Sequence, residues 1–126
     1  DGLPTLSHHL LEEMLGSVYA PYRASLLKKL GQRLSSSNTS GATPMIRLTE
    51  TVRHLNKLGY HARWEAHASG PRIILGHCPY AAIIDEHPEL CEMDNALLGK
   101  CLGEHVEQIA KLEGDIGKRI CVFGVR

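Results

Sequence analysis

At Gly59 the hydrophobic pattern changes its period, and that change limits the fold more than any other feature. Before it, apolar residues recur every three or four positions. After it, "YHARWEAHA" (Tyr60 to Ala68) alternates. Side chains share a face every 3.6 residues on a helix and every 2 on a strand. The chain is therefore expected to be neither all helix nor all strand.

The helical part divides into three. In "TLSHHLLEEMLGSVY", Leu6, Leu10, Leu11, Met14, Leu15 and Val18 share one helical face, and Pro21 marks a break. "YRASLLKKLGQRLSSS" repeats the pattern with Leu26, Leu27, Leu30 and Leu34. The run "SSSNTSGAT" (Ser35 to Thr43) is polar and rich in small residues, as in a loop. Thr43 then suits an N-cap and Pro44 the first helical position. Met45, Leu48, Val52 and Leu55 form the third stripe, and Gly59 stops it.

The later part predicts two hairpins. Tyr60, Ala62, Trp64 and Ala66 line one side of the first strand, Ser69-Gly70-Pro71 turns, and "RIILGH" (Arg72 to His77) returns. Two short helices, Pro79 to His87 and Glu89 to Leu102, lead to strands at about His105 to Leu112 and Arg119 to Val125. Gly114, Asp115 and Gly117 suit the turn between them. The expected architecture is α+β: an antiparallel sheet of about four strands with helices on one face. Residues 1–58 form its helical part and residues 59–126 its cysteine-bearing part, within a single domain.

Charge narrows the function. Lys plus Arg number 14, Asp plus Glu also 14, and the formal net charge is zero. That balance gives no basic surface for nucleic acid. No apolar run reaches the roughly 18 to 20 residues of a membrane span. The chain opens on Asp1-Gly2, as a piece of a longer protein would.

The four cysteines lie at positions 78, 91, 101 and 121, with no secretory signal beside them. Buried thiols or metal ligands in the cytoplasm account for them better than disulfides. Cys78 precedes Pro79 and so takes an N-cap-like place; Cys91 falls in the first turn after Pro88. Unpaired N–H groups and the helix dipole favour thiolate at such positions. Cys121 shares a strand face with Phe123 and Val125, and the second hairpin can bring it beside the helix starts. Cys101 lies ten residues after Cys91, about 15 Å along one helix. It falls in the stripe Leu97, Leu98, Cys101, Leu102, which reads as core. Residue type alone leaves two readings open for Cys78, Cys91 and Cys121, as apolar fillers or as metal ligands.

A resemblance bears on that choice. His77-Cys78-Pro79, His87-Pro88-Glu89-Leu90-Cys91, Gly114-Asp115 and Arg119-Ile120-Cys121-Val122-Phe123 follow one another in a recognisable order. The stretch is similar to the C-terminal half of bacterial winged-helix regulators of the ArsR- or DeoR-like kind. The nearest pattern is that of the iron–sulfur-sensing Suf-type repressors. "LNKLGYHARWE" (Leu55 to Glu65) extends the likeness forward in weaker form. The resemblance implies that Cys78, Cys91 and Cys121 are ligands of an iron–sulfur cluster, of 4Fe-4S type, or of zinc. It implies a homodimeric regulator whose DNA-binding winged helix lies upstream of this chain. Three cysteines leave such a site one ligand short, and His77, Asp85, His87 and Glu92 are the protein groups near enough in sequence to complete it.

Two other classes compete. One is a metal-free small-molecule pocket lined by Tyr60, Trp64 and Tyr80. The other is an enzyme with Cys78 as nucleophile and His77 or His87 as base, which adjacency alone supports. The expectation is a sensor, not an enzyme.

Overall fold

The computed structural model describes residues 3–17, 20–35, 43–80, 84, 87–113 and 120–125. Three helices come first: α1 (Leu3–Ser17), α2 (Ala20–Leu34) and α3 (Pro44–Lys57). Strands β1 (Ala62–Glu65) and β2 (Arg72–Leu75) follow, then a 3-10 turn (Pro88–Leu90) running straight into α4 (Cys91–Leu102). Strands β3 (Val106–Glu113) and β4 (Ile120–Val125) complete the order. The fold is α+β, and its four strands form one antiparallel sheet in the order β1-β2-β4-β3. The two hairpins are thus joined edge to edge through β2 and β4.

The expected punctuation of α3 is present. Thr43 Oγ1 accepts the Ile46 N–H at 3.3 Å, and Pro44 opens the helix. At the other end Gly59 has φ +93, a conformation open to glycine at little cost. Asn56 then grips Ala62 through both backbone groups, accepting from its N–H at 2.5 Å and donating to its carbonyl at 3.2 Å. His61, with φ +48, turns the chain between them. The result fixes the start of β1 against the last turn of α3 and drives Tyr60 inward, to 1% exposure.

The core has two clusters. The larger joins Leu48 and Leu55 of α3, Leu97, Leu98, Cys101 and Leu102 of α4, and the inner sheet residues Ile73, Leu75, Cys121, Phe123 and Val125. The smaller joins Leu15, Leu27, Ile84, Leu90, Cys91 and Met93. Leu34 and Tyr80 pack against both. Alternation along β4 is regular, with Cys121, Phe123 and Val125 buried and Ile120, Val122 and Gly124 less so.

Some stripe residues face outward instead of inward. Leu6, Leu10 and Met45 are exposed, because the smaller cluster covers only the C-terminal half of α1 and α3 buries Leu48, Thr51 and Leu55. α1 ends at Ser17, and Pro21 sits inside the first turn of α2, where its missing N–H costs nothing. The expected strand over Tyr60 to Ala68 shortens to four residues, and the expected helix at Glu89 begins as a 3-10 turn. The expected helix from Pro79 to His87 and the turn holding Gly114, Asp115 and Gly117 lie largely or wholly outside the described residues.

Candidate metal centre

Cys78 stands three residues beyond the end of β2, and Leu75, which ends it, pairs with Cys121 on β4. The sheet register therefore sets Cys121 beside the strand that leads to Cys78. Cys91 is the first residue of α4, whose start packs on the smaller cluster. Tyr80 bridges the two clusters, and its backbone N–H donates to the Cys78 sulfur. Cys121 thus belongs to the larger cluster and Cys91 to the smaller, and Cys78 lies on the loop leading to Tyr80, which packs against both.

Burial pushes the Cys78 thiol up to about 12; the Tyr80 N–H opposes this, and negative charge on Asp94, Cys121 and Cys91 adds to it. This corrects the expectation of a ready thiolate. One backbone donor does not offset the removal of water and the nearby acids, so in the metal-free protein Cys78 is a thiol at neutral pH. A bound cation reverses the balance, since it stabilises the thiolates that repel one another without it.

Asp94 was not among the residues singled out from the sequence. It is 3% exposed, and Oδ1 accepts the Tyr60 hydroxyl at 2.5 Å. Burial raises its carboxyl to about 7, with the Tyr60 hydrogen bond pulling the other way. Burial likewise raises Tyr60 and Tyr80, with the Asp94 charge adding in both cases. The two tyrosine rings meet edge to face, 6.4 Å between centres and 74° between planes. Tyr60 is thus part of the core rather than the wall of an open pocket. The signal for Asp94 was its spacing. It follows Cys91 by three positions and precedes Leu98 by four and Cys101 by seven, which puts a carboxyl on the buried stripe of α4.

The other named residues are placed as follows. Cys101 is buried with Leu97, Leu98 and Leu102, and α4 runs unbroken through Gly99. His77 is exposed, its ring 5.2 Å from that of His61. His87 is half-buried; its Nδ1 has no hydrogen-bond partner among the described residues and lies 3.6 Å from Glu89, which pairs with Arg23 at 3.3 Å. Glu92 is exposed, and Asp85 lies outside the described residues. Beside Cys91 an open groove runs between α4 and β3, lined by Glu92, Asn95, His105 and Gln108. Asn95 Oδ1 and Gln108 Nε2 are buried without hydrogen-bond partners among the described residues.

Among the described residues, no three His, Cys, Asp or Glu side chains are close enough together to hold a single metal ion. A zinc–sulfur bond of about 2.3 Å would require thiolates within about 4 Å of one another. An iron–sulfur cluster, with its several irons, spreads its ligands more widely. Comparison of the chain with protein-family models, curated proteins and solved structures finds no match.

Proposed function

We propose that the chain is the sensor and dimerisation domain of a bacterial cytoplasmic transcriptional regulator, and that Cys78, Cys91 and Cys121 hold an iron–sulfur cluster. The observation that carries the reading is positional: Cys121 lies beside the strand that leads to Cys78, and Cys91 opens the helix whose start belongs to the neighbouring core cluster. The donor set suits the group: thiolates select iron–sulfur clusters and zinc over hard cations. A bound cluster supplies a redox-labile cross-link between the strand layer and the start of α4. Its loss would free Cys91 from Cys78 and Cys121 and loosen the seam between the two core clusters. Such a change can reach DNA only through a winged helix upstream of this chain, in keeping with the zero net charge. Among the described residues no helix is long and apolar enough to cross a membrane. Leu6 and Leu10, exposed one turn apart on α1, offer the apolar contact for a second copy.

Iron and sulfide analysis of protein purified without oxygen, together with its visible spectrum, tests this. Iron and sulfide with a broad band near 400 nm, lost in Cys78→Ser while the helical signal persists, is the expected result. Zinc at one per chain makes the cysteines a structural staple. Normal iron content in Cys78→Ser overturns the ligand assignment.

The groove beside Cys91 favours one second reading, a metal-free domain that binds a small polar effector. Its orphaned acceptor on Asn95 and donor on Gln108 would both be satisfied by such a molecule. Wild-type regulation in a variant lacking all three cysteines would select it.

A further inference from the structure

Gly99 stands in the interior of α4, where glycine is the least favourable residue after proline. Its own fold does not ask for it: a methyl group built there meets only the Glu104 carbonyl, at 3.7 Å, an ordinary contact. Gly31 on α2 differs, since a methyl group there collides with the Met93 carbonyl. Gly99 lies on the floor of an open groove of about 580 Å³ between α2 and α4. Ala96 and Gly103 continue that floor, one helical turn before it and one after. Lys28 of α2 and Lys100 of α4 line the groove from either side, and both are exposed. Glu104 lies beyond the α4 cap, at one end.

The same chain carries a ridge of matching form. On α1, Leu6, Leu10 and Glu13 follow at spacings of four and three, which puts them on one helical face. All three are exposed, Leu6 to 53% and Leu10 to 60%. Leu6 to Glu13 and Ala96 to Gly103 each span about 10 Å of helix. Side chains that stand out from one helix pack into the space left on another.

Resting on the dimer reading above, and not on the cluster, we propose that α1 of a second copy seats in this groove. It runs antiparallel to α4, so that Leu6 faces Gly103, Leu10 faces Gly99 and Glu13 faces Ala96. Glu13 then comes within reach of Lys28 and Lys100 and stays away from Glu104. The reverse direction would set Glu13 beside Glu104. Opposite charges placed in this way fix direction and register more than affinity. Ridge and groove are different patches, so each copy gives one and receives one about a two-fold axis, which closes the pair.

Sedimentation equilibrium of the purified chain reads self-association, and circular dichroism with thermal melting reads the fold. Gly99→Leu fills the groove with a better helix former. It should keep or raise the melting temperature and weaken self-association about tenfold or more. Leu10→Asp, at an exposed position, should weaken it to a similar degree. A mixture of the two variants should pair more tightly than either alone, because the ridge of the first still enters the groove of the second. Glu13→Lys should weaken pairing severalfold, and adding Lys28→Glu with Lys100→Glu to the same chain should recover it. If wild type dimerises and Gly99→Leu dimerises equally well, or the mixture pairs no better than its parts, the groove is not the receptor and the proposal is overturned. In either case the dimer itself stands. If wild type is monomeric at every concentration, the dimer reading and the docking fall together.

Discussion

The Tyr60 hydroxyl donates to Asp94 Oδ1 at 2.5 Å across 34 positions of sequence, tying the entrance of the sheet to the first turn of α4. Both residues are all but free of water, at 1% and 3% exposure. A buried carboxyl deprived of its partner costs about 1 to 3 kcal/mol. Tyr60→Phe should lower the unfolding free energy of the metal-free protein by that amount, measured by urea titration. The double variant Tyr60→Phe with Asp94→Asn should cost less than the sum of the single changes, because the two side chains share one bond.

The raised carboxyl of Asp94 predicts a direction for stability against pH. Its folded value of about 7 lies above the ordinary 3.8. Below about pH 4 the carboxyl is protonated in both states and its contribution is fully present. As pH rises toward 7 the unfolded chain ionises first, so stability is lost, by about 4 kcal/mol for a shift of this size. Above the folded value the loss is complete. The difference in unfolding free energy between the metal-free wild type and Asp94→Asn should therefore change across pH 4 to 7 and level off on either side.

Cys78 should be a poor nucleophile in the folded, metal-free protein. With its thiol at about 12 instead of 9, it holds about a thousandfold less thiolate at neutral pH than an ordinary cysteine. Timed alkylation followed by peptide mass analysis should find Cys78 modified slowly in native protein and quickly in urea. Fast native alkylation of Cys78 alone would instead favour a catalytic thiol.

At Gly31 α2 packs tightly against α4. A methyl group built there collides with the Met93 carbonyl and sits 3.0 Å from the Ala96 side chain. Backbone cannot yield as a side-chain tip can, so Gly31→Ala should cost about 1 to 3 kcal/mol. Through Met93 it would also shift the turn that carries Cys91 and Asp94. Reduced iron uptake should accompany the lower melting temperature.

Much of the framework was legible because its signals are local. Thr43, Pro44 and Gly59 bound α3 by backbone chemistry that acts within one turn, and alternation along Cys121, Phe123 and Val125 predicts the buried face of β4. Cys101 was readable as core because helical rise alone separates it from Cys91. Leu6, Leu10 and Met45 were not, since periodicity says which residues share a face but not where the covering layer ends. Asp94 was missed for a related reason. An acid in the first turn of a helix ordinarily complements the dipole at the surface. That it is buried depends on Tyr60, 34 positions earlier, arriving opposite it. The thiolate expected at Cys78 failed likewise, because the local donors do not offset the burial of its sulfur, to which the distant acids add.

The sheet order β1-β2-β4-β3 has a consequence for synthesis. The inner strand β4 is among the last parts of this sequence to be made, and β2 has no second neighbour until it arrives. Cys121 travels on that strand. A nascent chain still lacking β4 would hold Cys78 and Cys91 without Cys121, the third ligand of the proposed cluster. On the proposed cluster reading, loading would follow completion of the sheet.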